Sequence, residues 1–235
     1  MTENTETKTK EQVEGLFEAG AQYAFSRARR HPSAQRFLFG QKNRTELFDL
    51  EQTVSALEKA KAFVTTLAQS GKQILFISSK PIARDAIRSA SERINQPFVA
   101  GRFIGGTLTN FAQIQKRVAR LEKLTHDKEV GELSKYTKRE RLLIDRDIEK
   151  LEDRFGGLAG MKSLPGALFV IDAREEEIAV REAQALGIPV VSLSGSDCNM
   201  DIITYAIPGN DVARASIKYV TEAIADAYSE GKKSE

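Results

Sequence analysis

Three short segments of this 235-residue chain are almost entirely apolar. Runs of β-branched and aromatic residues are typical of strands that are covered on both faces of a parallel sheet. The three predicted central strands are QILFISS at 73–79, ALFVIDA at 167–173 and IPVVSLS at 188–194. Shorter candidates for edge or terminal strands are found at 44–49, 97–100 and 203–207.

Helical patterns alternate with these strands. The predicted helices cover 51–70, 80–94, 175–186 and 210–229. Pro81 lies near the start of one helix, and Gly187 follows another. The segment IPGND at 207–211 predicts a turn that starts the last helix, with Asn210 or Asp211 as its cap. The alternation predicts an α/β fold with a doubly wound, mostly parallel sheet.

A different pattern fills the region between Phe111 and Phe155. Two apolar seams with spacings of three and four run through Phe111, Ile114, Val118 and Leu121, and through Ile144, Ile148, Leu151 and Phe155. Polar residues at about 125–138 separate them, which predicts two antiparallel helices in a coiled-coil-like hairpin. Its charged residues fit either a solvated or an RNA-facing surface. The predicted division is a flexible end at 1–10, an α/β domain at 11–110 and 158–229, an inserted hairpin at 111–157 and a flexible end at 230–235.

Charge and cysteine content restrict the class of protein. Thirty-five Lys and Arg residues balance 33 Asp and Glu residues, so the net charge of +2 does not by itself indicate an acidic partner. Cys198 is the single cysteine, and the first fifteen residues contain no apolar stretch like that of a secretory signal. No apolar run approaches the roughly 20 residues of a spanning helix. We therefore expect a cytoplasmic protein without a membrane segment.

Residues 19–45, which we call the basic segment, contain no acidic residue. The cations of the segment are Arg27, Arg29, Arg30, Arg36, Lys42 and Arg44, with His31 among them. Its aromatic residues are Tyr23, Phe25, Phe37 and Phe39. A local positive field with interleaved aromatics predicts a segment that docks partly on protein and partly on nucleic acid. A solvated basic face is the alternative interpretation.

Residues 101–111, GRFIGGTLTNF, form a predicted turn that we call the glycine turn. Gly105 and Gly106 lack a Cβ, so they allow main-chain amides to approach a phosphate closely. A fixed charge and further hydrogen-bond donors come from Arg102, Thr107, Thr109 and Asn110. The glycine spacing matches neither a Walker loop nor a dinucleotide fingerprint. A plain tight turn is the alternative.

Polar residues also follow the central strands, where an α/β enzyme would place its catalytic groups. The Lys80 ammonium group at the end of the first strand could bind a phosphate or simply be solvated. The two histidines, His31 and His126, lie in separate predicted segments without an orienting carboxylate. The sequence predicts no catalytic triad, cofactor site or metal site. The carboxylates that could still offer oxygen ligands to a hard cation are Asp172, Asp197 and Asp201.

In combination, these segments closely resemble the universal small-subunit ribosomal protein two family. The motifs are LFEAGAQYAF, RFLFGQKNRTELFDLEQTV, GKQILFISSK, GRFIGGTLTNF and the run from RFGGLAGMKSLPGALFVIDA to IPGNDVARASI. They keep the order and spacing of that family over most of the chain. The resemblance implies a flavodoxin-like doubly wound sheet with a protruding helical hairpin. It also implies a structural, RNA-binding constituent of the small ribosomal subunit without catalytic activity.

Departures from the family pattern cluster in two places. Family members typically carry histidines at the positions of Gln22 and Phe25, and Trp-Asn-Pro at 30–32. The usual Asp-Thr-Asn-Cys-Asp-Pro loop is altered to SGSDCNMD at 194–201. We therefore expect remodelled local contacts around these two segments.

Carried over by position, the resemblance implies a surface that contacts RNA phosphates and sugars rather than base edges. The predicted residues are Arg27, Arg29, Arg30, Arg36, Lys42, Arg44, Lys80, Arg102, Thr107, Thr109 and Asn110. The implied partners are small-subunit ribosomal RNA and neighbouring ribosomal proteins, including the mRNA-binding ribosomal protein one. One alternative is a flavodoxin-like nucleotide- or cofactor-binding enzyme that uses the strand ends. Another is an adaptor whose hairpin binds proteins only.

Overall fold

A computed structural model describes residues 2–233 of the chain, with side chains from residue 9 onward. The α-helices within this range are α1 (Thr2–Glu18), α2 (Leu50–Gln69), α3 (Arg84–Arg93), α4 (Phe111–Glu129), α5 (Lys138–Phe155), α6 (Glu177–Ala185) and α7 (Arg214–Lys233). The strands are β1 (Leu38–Lys42), β2 (Thr45–Phe48), β3 (Ile74–Ile77), β4 (Phe98–Val99), β5 (Ala167–Ile171), β6 (Val190–Ser194) and β7 (Tyr205–Pro208). No helix in this range is long and apolar enough to cross a membrane.

Five parallel strands form the main sheet in the order β4-β3-β5-β6-β7. Counted along the chain, this is the order 2-1-3-4-5 of flavodoxin-like folds, in which the strand order reverses between the first and third strands. The predicted α/β fold and its three central strands are confirmed. The candidates at 97–100 and 203–207 are the two edge strands, β4 and β7.

The main sheet is covered on both faces, which explains why its central strands are continuously apolar. Alternate side chains point to opposite faces of a strand. Ile74 and Phe76 of β3 pack in a core with α2, α3 and α7, and Leu16 of α1 joins the same core. Leu75 and Ile77 pack in a second core with α4, α5 and α6.

The candidate strand at 44–49 lies outside the main sheet. It is β2, and it pairs antiparallel with β1 in a separate two-stranded sheet. The sequence does not predict β1, because four of its five residues are exposed and no apolar alternation marks them. Phe48 of this small sheet packs in a separate cluster with Ala34 and Met200.

The glycine turn leads from β4 into α4, and α4 packs along α5. Ion pairs join the two helices from Arg120 to Asp147 at 2.6 Å and from Lys128 to Asp145 at 2.7 Å. A capping box between Thr137 and Glu140 starts α5. Both helices lie where the sequence analysis places the hairpin. Its status as a unit inserted into one α/β domain stays a prediction.

Helices extend into both ends of the chain. Within the described range α1 covers 2–10 and α7 covers 230–233, and the flexibility of these ends stays a prediction; residues 1 and 234–235 lie outside that range. The last helix begins at Arg214 rather than near 210, because the side chain of Asn210 accepts hydrogen bonds from the N–H groups of Val212 and Ala213. Asn210 therefore closes a turn just before α7 and does not cap the helix itself, whereas Asp211 pairs with Lys80.

Candidate nucleic-acid interface

The basic segment presents three exposed cations without a carboxylate partner. Arg27 lies in a short 3₁₀ turn, and Lys42 and Arg44 lie at the tip of the β1–β2 hairpin. Within the described range, no ion pair or side-chain hydrogen bond involves any of these three side chains. Their positive charge therefore remains available to an acidic partner.

The other three arginines of the segment are held by carboxylates. Arg29 pairs with Asp197 at 3.1 Å, Arg30 with Glu46 at 2.8 Å and Arg36 with Asp201 at 2.9 Å. Arg30 is only 18% exposed, so its main role is to compensate the buried Glu46. The guanidinium groups of Arg29 and Arg36 remain more than half exposed and can still contact a second partner.

Hydrogen bonds attach the basic segment to the altered loop at 194–201. The N–H of His31 donates to the Ser196 carbonyl at 2.8 Å, and the N–H of Phe25 donates to the Ser196 hydroxyl at 3.0 Å. Farther along, the N–H of Met200 donates to the Ser33 hydroxyl at 2.9 Å. The two segments that depart from the family pattern thus contact each other, and the remodelling of these contacts stays a prediction.

The glycine turn is organised by an acidic side chain from α6 that the sequence analysis does not single out. The Glu182 carboxylate accepts hydrogen bonds from the N–H groups of Gly106, Leu108 and Thr109 and from the Thr109 hydroxyl. These amides therefore face a protein carboxylate and not an open phosphate site, so this part of the expectation is wrong. No local sequence pattern joins Glu182 to a turn more than 70 residues earlier.

The side chains of the glycine turn differ in accessibility. Thr107 is 1% exposed, and its hydroxyl donates to the Ile104 carbonyl at 2.6 Å. Arg102 and Asn110 are exposed, and neither has a side-chain partner among the residues that the structure describes. Thr107 and Thr109 thus support the turn, while Arg102 and Asn110 are left on its surface.

We expect Glu182→Ala to loosen the glycine turn. Hydrogen bonds to an ionised carboxylate contribute more than neutral ones, but water can reach part of this turn, so we expect a loss of about 1–2 kcal/mol in the free energy of unfolding. Chemical denaturation measures the loss, and hydrogen exchange should accelerate at Gly106, Leu108 and Thr109. Glu177→Ala on the same helix is the control, because Glu177 forms an exposed pair with Arg181. Equal effects of the two substitutions would contradict this role for Glu182.

Lys80 lies at the carboxyl end of β3, where the strand order reverses. Its ammonium group is 2.5 Å from a carboxylate oxygen of Asp172 and 2.8 Å from one of Asp211, and its side chain is 17% exposed. The thiol of Cys198 donates to Asp172 at 3.3 Å. The structure therefore gives Lys80 two internal partners, so the lysine predicted to contact RNA compensates buried carboxylates.

Burial and charge shift the pKa values of this cluster in different directions. Burial alone would lower the pKa of Lys80, but Asp211 and Asp172 outweigh burial and raise it. Burial would raise the pKa of Asp172, but the Lys80 charge lowers it below its ordinary value. For Asp211, burial dominates over Lys80 and raises the pKa to about 6. Burial and the two carboxylates raise the pKa of the Cys198 thiol, so this cysteine is not an activated nucleophile.

The raised pKa of Asp211 predicts a pH-dependent stability. Because the folded-state pKa of about 6 exceeds the ordinary value of 3.8, this group favours the folded state at low pH, and that contribution is lost as pH rises through about 6. Asp211→Asn should therefore gain stability relative to the wild type between about pH 4 and pH 7, by on the order of 2 kcal/mol. Denaturation at several pH values measures this difference.

Asp226→Asn is the matched control for the pH series. Asp226 is half exposed and pairs with Arg93 on the surface, so its removal should change stability little at any pH in that range. A difference between Asp211→Asn and the wild type that stays constant with pH would contradict the raised pKa of Asp211.

The candidate cation ligands do not come together as one site. Asp172 pairs with Lys80, Asp197 with both Arg29 and Arg174, and Asp201 with Arg36. A different group, formed by Asp172, Cys198 and Asp211, has its ligand atoms within 4.8 Å of one another. There the Lys80 ammonium already pairs with both carboxylates, and the raised pKa of the thiol disfavours the thiolate that binds metals. The cluster fits an internal ion-pair network better than a metal site.

Comparison with known proteins identifies the family. A family model described as ribosomal protein S2 matches residues 16–231, which includes the basic segment, the glycine turn and the Lys80 cluster. This chain belongs to the ribosomal protein S2 family. It is 41% identical over 216 residues to a protein named small ribosomal subunit protein uS2 from Geotalea uraniireducens (strain Rf4). That similarity covers 92% of this chain and 84% of the relative.

Membership of the ribosomal protein S2 family confirms the resemblance inferred from the sequence motifs. A ribosomal protein with this doubly wound fold does not need a cofactor site at the strand ends. The groups that meet at the strand-order reversal are paired with one another, and their excess of carboxylates disfavours a phosphate ligand there. Arg27, Lys42 and Arg44, which are exposed and have no carboxylate partner among the described residues, lie instead on the basic segment.

Proposed function

We propose that this chain is a structural, non-enzymatic constituent of the small ribosomal subunit in the cytoplasm, and that it binds small-subunit ribosomal RNA as part of the translation machinery. The contacts are made to phosphates and sugars by the exposed cations of the basic segment. Arg102 and Asn110 of the glycine turn add a second contact region. Membership of the ribosomal protein S2 family supports the assignment to the subunit.

The main support for an RNA contact is the set of unpartnered cations in the basic segment. Arg27, Lys42 and Arg44 are exposed in a stretch of 27 residues without any acid. Nucleic-acid binding draws most of its affinity from neutralised phosphates. Arg29 and Arg36 can add to the positive field of this segment. Arg30 and Lys80 instead pair with buried carboxylates of the protein.

Protein partners belong to the same proposal. Neighbouring small-subunit ribosomal proteins, among them the mRNA-binding ribosomal protein one, are the candidates that the family suggests. Leu142 and Leu143 support a protein contact at α5, because each is more than half exposed on this otherwise charged helix.

Binding of the purified chain to small-subunit ribosomal RNA at increasing salt tests the proposal. If Arg27, Lys42, Arg44 and Arg102 neutralise about four phosphates, the logarithm of the association constant should fall by about 3–4 for each tenfold rise in salt. An affinity that hardly changes with salt, or no binding at low salt, would contradict it.

A further inference from the structure

Phe39 is the most exposed of the large apolar side chains in the described part of the chain, at 81%. It stands on β1 in the basic segment. The residues before it behave differently, because Phe37 and Leu38 pack against the cluster of Ala34, Phe48 and Met200. The exposure of Phe39 is therefore specific to this position and is not shared by its apolar neighbours.

A β-bulge leaves this ring without a cross-strand neighbour. The pairing of β1 with β2 runs from Leu38↔Phe48 directly to Gly40↔Leu47, so Phe39 is an extra residue without a partner on β2. Bulges change the direction of a side chain relative to the regular alternation and are frequent at functional sites. Leu38 remains in the small core, while Phe39 reaches solvent with no cross-strand neighbour to cover it.

The hairpin tip beside Phe39 carries positive charge at a sterically unfavourable position. Lys42 and Thr45 pair across a two-residue turn, in which Asn43 has φ 49° and Arg44 has φ 64°. Glycine and asparagine tolerate this left-handed conformation, whereas arginine adopts it at a steric cost. Strain of this kind is most common at functional sites, and a use for the arginine charge accounts for it here.

Together these features fit a nucleotide better than a protein surface. A flat aromatic ring offers a stacking platform for a base, and Lys42 lies about 10 Å farther along an extended strand, where it can reach the backbone of the same RNA. Arg44 adds a second cation at the turn. The basic segment has no acid, and the nearby Glu46 is buried and paired with Arg30, so no exposed carboxylate of the hairpin opposes a phosphate.

We infer that Phe39 stacks on an unpaired base of the bound RNA while Lys42 and Arg44 neutralise adjacent phosphates. This inference rests on the proposed RNA-binding function and adds a base contact to its phosphate contacts. Stacking on an aromatic ring does not require a particular base, because every base has a π-face. The hairpin therefore binds an unpaired nucleotide of the ribosomal RNA without reading its sequence.

A tryptophan reporter tests the inference directly, since the chain contains no tryptophan. Phe39→Trp places one fluorophore at the proposed platform, and Phe17→Trp places one at another exposed aromatic position, on α1. On addition of small-subunit ribosomal RNA, stacking should quench the emission of Phe39→Trp, and the quenching should be reversed by salt. The emission of Phe17→Trp should remain unchanged.

Affinity measurements complete the test. Phe39→Ala should bind the RNA about tenfold or more weakly with an unchanged salt dependence, whereas Phe39→Tyr should retain the wild-type affinity. Arg44→Gly should bind less tightly although its melting temperature is unchanged or higher. RNA binding with full affinity by Phe39→Ala and no quenching of Phe39→Trp would overturn the stacking contact alone. A failure of the wild type to bind RNA would overturn the proposed function itself.

A protein ligand at this position would give a different result. In that case the emission of Phe39→Trp would shift to shorter wavelength on addition of RNA-free ribosomal proteins of the small subunit and would not respond to RNA. That outcome would also overturn the stacking contact.

Discussion

Replacement of Lys80 by methionine is expected to destabilise the fold by about 3–5 kcal/mol, because it leaves two buried carboxylates without their shared cation. Asp172 and Asp211 both lie within 2.8 Å of the Lys80 ammonium and are almost completely buried. Methionine preserves most of the side-chain volume, so the loss isolates the charge. Chemical denaturation at pH 7 measures the change in the free energy of unfolding.

Two further variants make the Lys80 result decisive. The triple variant Lys80→Met, Asp172→Asn, Asp211→Asn removes all three charges and should recover most of the lost stability. Lys218→Met removes an exposed lysine from a surface pair with Glu222 and should cost less than about 1 kcal/mol. If Lys80→Met costs no more than Lys218→Met, Lys80 is not the counter-charge of this cluster.

Simultaneous charge reversal of the unpartnered cations is expected to weaken RNA binding on the order of 100-fold at physiological salt without loss of stability. The variant is Arg27→Glu, Lys42→Glu, Arg44→Glu. Each substitution removes one charge-assisted phosphate contact and adds repulsion, and the salt dependence should fall by about three phosphate equivalents. Binding to small-subunit ribosomal RNA and incorporation into small subunits are the two measurements.

A matched triple variant separates local contacts from net charge. Lys135→Glu, Arg181→Glu, Lys218→Glu makes the same change of net charge at exposed lysines and arginines elsewhere on the surface. It should retain most of the RNA affinity. Arg30 is left out of both variants, because its substitution would uncover the buried Glu46 and confuse folding with binding. Equal weakening by the two triple variants would argue against a specific RNA contact by the basic segment.

The parts of the fold that could be predicted from sequence are those in which burial is continuous. β3, β5 and β6 are covered by helices on both faces, so every residue in them is apolar or small, and the run itself predicts the strand. β1 gives no such signal, since its exposed residues contact little of the core. Its pairing depends on a turn at Asn43 and Arg44 that lacks the usual glycine.

Which site residues remain exposed could not be predicted from sequence, because exposure depends on partners that are distant in the chain. Lys80 and Arg102 are both cations that follow a strand. Folding brings Asp211, which is 131 residues away, to Lys80 and leaves Arg102 without a carboxylate among the described residues. Likewise, the Glu182 carboxylate reaches the glycine turn only because α6 packs beside it. The sequence indicates the basic segment. Tertiary contacts determine which of its cations pair with carboxylates of the protein and which remain available to RNA.

We propose that this chain is an RNA-bound constituent of the small ribosomal subunit. Sedimentation of a native cell lysate through a gradient at low and high salt tests it most directly, with the chain followed against small-subunit ribosomal RNA. We expect the chain to migrate with small subunits at low salt and to be partly released at high salt. A slowly sedimenting peak of free protein at both salt concentrations, with none in the small-subunit fractions, would contradict the account.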